Sequence, residues 1–274
     1  LAYIKPGMGL SLLRSKILGP DVFDRAFREY TRRWAFRHPQ PADFFRTIED
    51  VSGRDLTQFK RWYSQAGTPR VAIAERWEAG RYTLTLSQTT APTPGQPDKA
   101  PLVIPVAYAL LDGAGGEMAA GVLELTEAEQ SFAWDLAARP VPSLMRGFSA
   151  PVVLDRPSSR VERAFRLAHD GDPFNRWEAG RAAALDALGA LAADAAAVVD
   201  PGYLEALAAV ADDAWLDPAF KALALGLPSE EEAFAHLAGA VPADPLAVHA
   251  ARERLRATIA AALGDRPARL YAAN

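Results

Sequence analysis

The feature that most constrains this chain is a change in the spacing of its apolar residues, made twice. Up to residue 67 they recur every three or four positions, from 68 to 156 they alternate, and from 157 to 274 they return to helical spacing. One element cannot serve a side-chain period of 3.6 and one of 2, so the order is helices, then strands, then helices. With 274 residues, half of them hydrophobic, the chain is long enough for two or three domains and can form a core of useful size.

In the first region Leu10, Leu13, Ile17 and Leu18 predict a helix that Gly19-Pro20 ends. Asp21 is expected to cap the next helix, whose apolar stripe is Val22, Phe23, Ala26, Phe27, Tyr30 and Trp34. Arg25, Glu29 and Arg32 fall off that stripe, as on a solvated face. His38–Pro41 breaks the pattern, and Phe44, Phe45 and Ile48 make a short helix. Asp55 is expected to cap a last helix carrying Leu56, Phe59, Trp62 and Tyr63.

In Arg81–Ser87 apolar and polar residues alternate strictly, so Tyr82, Leu84 and Leu86 should point inward and Thr83, Thr85 and Ser87 to the other face. Val71–Ile73, Leu102–Leu111, Gly121–Leu125, Ser131–Leu136 and Leu144–Leu154 also read as strands. Short strands divided by Gly- and Pro-rich turns predict a small antiparallel β-sandwich. The Gly-rich run Asp112–Gly116 lies between two strand patterns and reads as a hairpin loop rather than a phosphate cradle; Thr90–Pro97 reads as a surface loop.

The third region is rich in Ala and Leu. Asp172-Pro173, Asp200-Pro201, Asp217-Pro218 and Asp244-Pro245 each place a capping carboxylate before a residue suited to the first helical position. Ser229 and Glu232 have capping-box spacing. Stacked helix pairs are expected.

Much chemistry is missing. A net charge of −4 gives no electrostatic reason to expect nucleic acid or an anionic membrane as partner, and no run of 18 apolar residues occurs. Without cysteine there is no disulfide, thiol nucleophile or thiolate metal site. His38, His169, His236 and His249 include no pair at i, i+4, the spacing that sets two imidazoles on one helix face, so no zinc site is expected in this chain. Spacing singles out none of the carboxylates, Glu29, Glu49 and Asp50 included. The chain opens at Leu1, without Met, and stops at Asn274 without a closing signal, which suggests a fragment. On the residues alone, a non-catalytic module of sandwich plus helices stands beside part of an enzyme.

Two groups of segments carry a resemblance. Tyr3-Ile4-Lys5-Pro6-Gly7, then Leu18-Gly19-Pro20, Ala42–Phe45 and Val51–Leu56, is similar to the end of the thermolysin-like domain of zinc aminopeptidases of the aminopeptidase N family. Arg61–Pro69, Leu84–Gln96, Phe148–Val152 and Asp172–Gly180 resemble its bacterial alanyl aminopeptidase branch. The resemblance implies three domains: residues 1–67 as the helical end of the catalytic domain, 68–156 as an Ig-like sandwich, and 157–274 as the start of a helical domain. It implies removal of N-terminal residues from peptides with zinc, held by a His-Glu-x-x-His helix upstream of Leu1. The chain alone should then be inactive and should partner the missing upstream and downstream segments, in the cytoplasm. Tyr3 falls on the family tyrosine that donates a hydrogen bond to the oxyanion; Pro6 stands where glycine is usual. Tyr3 itself is expected to have no fixed place so near the start, and Lys5, a solvated cation, to have no contact with the reacting atoms.

Overall fold

The computed structural model describes residues 3–237 and 244–273; the ends Leu1 and Asn274 lie outside them. Contacts divide the chain into two compact units. One runs up to Leu110 and again over Glu117–Arg156, and the other joins Leu111–Gly116 to the chain from Pro157 onward.

The first unit opens with α1 (Ile4–Leu12), which continues into a π-helical segment, Leu13–Leu18. Helix α2 (Pro20–Trp34) follows. Gly19, not Asp21, occupies its cap position: φ is 80° there, and the Gly19 carbonyl accepts from the Phe23 N–H at 3.1 Å. The sharp change of direction needs the left-handed backbone that glycine tolerates, which leaves Asp21 in the first turn, where the helix dipole favours its charge. Only Phe23 and Ala26 of the α2 stripe are buried. Helix α3 (Pro41–Ser52) begins with a reciprocal box between Gln40 and Asp43. The expected last helix shrinks to α4 (Arg61–Ser64), and Asp55 caps only a turn, its Oδ1 accepting from the Thr57 N–H at 2.8 Å. Leu56, Phe59 and Trp62 are all buried, at a three-residue spacing that successive turns satisfy as well as a helix does.

The sandwich has strands β1 (Arg70–Glu78), β2 (Arg81–Thr89), β3 (Ile104–Leu111), β4 (Glu117–Leu125), β5 (Glu129–Asp135), β6 (Val141–Leu144) and β7 (Val153–Asp155). One sheet has the order β5-β2-β1-β7 and the other β4-β3-β6. Tyr82, Leu84 and Leu86 are fully buried, and the residues between them face the other way. β3 is buried along its whole length and so shows no alternation. Leu144–Leu154 is not one strand. Met145, Gly147 and Phe148 have φ of 60°, 60° and 53°, a left-handed backbone that cannot continue a ladder. The chain re-enters at β7, which pairs parallel with β1, Arg70 opposite Val153 and Ala72 opposite Asp155, whereas β1–β2 and β2–β5 are antiparallel. One apolar core joins Leu13, Ile48 and Phe59 of the helical stretch to Leu84, Leu86, Val106 and Leu110 of the strands.

The second unit stacks α5 (Arg160–His169), α6 (Pro173–Ala193), α7 (Pro201–Asp212), α8 (Pro218–Ala224), α9 (Glu230–Leu237), α10 (Pro245–Leu263) and α11 (Arg266–Ala273). All four Asp-Pro pairs start helices as expected, each carboxylate accepting from a backbone N–H of the first turn. Ser229 and Glu232 bond reciprocally at 3.1 Å. The buried Arg176 donates to the Leu167 and Ala168 carbonyls, both at 2.8 Å, supplying positive charge to the C-terminus of α5. A Cβ on Gly180 would come 3.0 Å from Leu167, so α5 and α6 approach closely there. Among the described residues no helix is long and apolar enough to cross a membrane.

Candidate functional site

Tyr3 precedes the first residue of α1 and is 92% exposed. Its carbonyl accepts from the Gly7 N–H at 3.1 Å, so its backbone belongs to the first helical turn and is not without a place. Lys5 is no free cation either: its ammonium donates to the Gly67 carbonyl at 2.8 Å. Burial, and then repulsion from Lys99, hold its pKa below that of an ordinary lysine. One residue on, the Pro6 carbonyl accepts from the Tyr63 hydroxyl at 3.2 Å. Burial pushes that phenol up to about 12, so it keeps the proton it donates. A Cβ on Gly9 would lie 2.8 Å from the Tyr63 oxygen, so with a side chain there α1 or the Tyr63 ring would have to shift.

The arrangement is an exposed phenol at the start of a tethered helix. Its hydroxyl can donate one hydrogen bond outward. The tether was not legible in the spacing, because Lys5 and Gly67 are 62 residues apart. The available signal was that Lys5 and Gly67 both fall inside the family-like stretches.

Among the described residues no three His, Cys, Asp or Glu side chains stand together as a metal site. His249 instead pairs with Glu230, at 2.8 Å. Among the described residues, then, no ligand set for zinc is assembled. In the second unit Phe174 and Trp177 pack with ring centres 6.0 Å apart. Arg181 lies 5.8 Å over the Trp177 ring and bonds Glu232 at 3.1 Å, which accounts for it as packing and pairing.

Proteins named aminopeptidase N match nearly the whole chain. Identity is 43% to that of Caulobacter vibrioides over 93% of this chain, 36% to that of Escherichia coli K12 over 94%, and 33% to that of Haemophilus influenzae over 93%. Over more than nine-tenths of its length the chain is similar to proteins named aminopeptidase N. It spans 30–31% of the length of these aminopeptidase N relatives. A family described as a domain of unknown function with an Ig-like fold, DUF3458, matches residues 67–157, and one described as ARM repeats, DUF3458_C, matches 160–274. The first covers β1 to β7 and the second α5 to α11. The crystal structure of Legionella pneumophila aminopeptidase A in complex with aspartic acid shares the fold, with a TM-score of 0.85 over 98% of this chain and 31% of that one, at 23% identity.

Proposed function

We propose that this chain is part of a longer zinc-dependent aminopeptidase that removes N-terminal residues from peptides in the cytoplasm. The observation that carries this is the match, at 33–43% identity and over more than nine-tenths of the chain, to proteins named aminopeptidase N. In this reading residues 1–67 complete a catalytic domain, 68–156 form the sandwich, and 157–274 begin a helical domain. Zinc would be held by residues that this chain does not contain. The chain's own contribution to the chemistry is Tyr3.

When water adds to a peptide carbonyl, the carbonyl oxygen becomes an anion that did not exist in the bound substrate. A neutral donor aimed at that oxygen therefore stabilises the transition state more than the substrate. The phenol of Tyr3 is such a donor. Because it gives only a hydrogen bond, Phe in its place should leave packing, metal content and KM nearly unchanged.

In the full-length protein, Tyr3→Phe is expected to lower kcat by about 10²–10³-fold, the usual cost of a lost oxyanion donor. Hydrolysis of an alanyl anilide would be measured beside metal content. A kcat above about half of the wild-type value would show that Tyr3 is not this donor. The chain by itself is expected to be inactive. Chelator-sensitive turnover by the isolated chain would place the machinery within it, and absence of turnover by the full-length protein would leave a non-catalytic module.

A further inference from the structure

We propose that Lys5 and Tyr63 are positioning residues, a two-point clamp that fixes the first turn of α1 so that the phenol of Tyr3 is presented in one direction. This rests on the reading of Tyr3 as an oxyanion donor.

A donor of that kind has to be held to within about half an ångström of its target. Tyr3 stands where a helix is least able to hold anything. It precedes the first full turn, where the backbone N–H groups have no intrahelical partners and the helix end frays. Two bonds from outside α1 compensate. Lys5 reaches the Gly67 carbonyl at 2.8 Å, and the Tyr63 hydroxyl reaches the Pro6 carbonyl at 3.2 Å. They grip α1 two and three residues beyond Tyr3. The first is charge-assisted, hence the stronger kind.

Both anchors come from one short stretch, Tyr63–Gly67, that is itself immobilised. Gln65 exchanges hydrogen bonds with the Ala100 backbone at 2.9 and 3.1 Å, and Gln96 does the same with Ala66 N–H and Ser64 carbonyl at 2.8 and 2.9 Å. Gly67 has φ +100°, and a Cβ there would meet Thr90 at 2.8 Å. The clamp thus transmits the position of the sandwich to the turn that carries Tyr3.

The test uses Tyr63→Phe and Lys5→Met in the full-length protein, each alone and combined with Tyr3→Phe, with Arg14→Ala as a control in the exposed Arg14–Asp24 pair. Misplacement of a catalytic group costs up to about a hundredfold. Each single variant is expected to lower kcat by about five- to fiftyfold at nearly constant KM and metal content. In the Tyr3→Phe background the same changes should cost about twofold or less, since no phenol remains to be placed. Exchange of the Gly7 amide, bonded to the Tyr3 carbonyl, should accelerate about tenfold in either variant.

Equal losses with and without the Tyr3 phenol would overturn the positioning role and leave Tyr3 as donor. Unchanged Gly7 exchange would overturn the clamp itself. If Tyr3→Phe alone left kcat intact while Gly7 exchange rose, the donor reading would fail and take the positioning role with it, though the tether would be real.

Discussion

The indole N–H of Trp62 donates to the carbonyl of Val103 at 2.8 Å, with both residues all but excluded from water. This bond ties the end of the helical stretch to the chain leading into β3. Trp62→Phe keeps an aromatic ring there and strands the carbonyl. Leaving a buried acceptor unsatisfied costs about 1–3 kcal/mol. The urea midpoint of the chain should fall with its slope unchanged. An unmoved midpoint would mean that Val103 finds another donor.

The two faces of β2 should respond differently. Leu86 is fully buried, and Leu86→Ala is expected to cost about 2–5 kcal/mol. Thr85 faces outward, its hydroxyl 2.8 Å from that of Ser131, and Thr85→Ala should stay within about 0.5 kcal/mol of wild type. Denaturant titration of both variants checks the inside–outside assignment; comparable losses would refute it.

Acid should find Glu29. Hydrogen bonds from Arg32 and then Arg33 hold its carboxyl down to about 2, against 4.5 for a free glutamate. A depressed carboxylate stabilises the fold fully above 4.5, and that contribution is lost as pH falls through about 2. Glu29→Gln removes the titration, so stability should fall less steeply between pH 4.5 and 2 than in wild type. Parallel stability–pH curves would show that the pairing is not maintained in solution.

Asp217 accepts from two backbone N–H groups of α8, Ala219 at 2.9 Å and Phe220 at 3.1 Å. Asp217→Ala should destabilise by about 1 kcal/mol. Faster amide exchange concentrated at Ala219 and Phe220 would locate the loss at the cap, and uniform acceleration through the second unit would argue against a local role.

These features differ in how far they could be read from the chain. Alternation in Arg81–Ser87 and the four Asp-Pro caps were plain, because both depend on residues a few positions apart. What escaped depends on distant partners or on backbone geometry. Gln88 is polar in the inward set of β2, and only the fold shows why it is tolerated. Its amide bonds the Leu102 and Glu127 carbonyls and the Leu102 N–H. The break after Leu144 rests on left-handed backbone at Met145 and Phe148, residue types that give no hint of it. The clamp on α1 joins positions 5 and 67, beyond the reach of any periodicity. Tyr3 could be singled out only by likeness to a family, since spacing offers no reason to choose it.

The parallel pairing of β7 with β1 bears on how the sandwich would resist a mechanical load. The chain comes in at the leading end of β1 and leaves at the trailing end of β7, and these two strands are neighbours, with Arg70 opposite Val153 and Ala72 opposite Asp155. A force drawing residues 68 and 157 apart would slide β1 backward and β7 forward along the same line. The slanted, evenly spaced bonds of a parallel pair would then be strained together in shear, not opened one by one like a zip. The shortest strand of the sandwich is thus its latch.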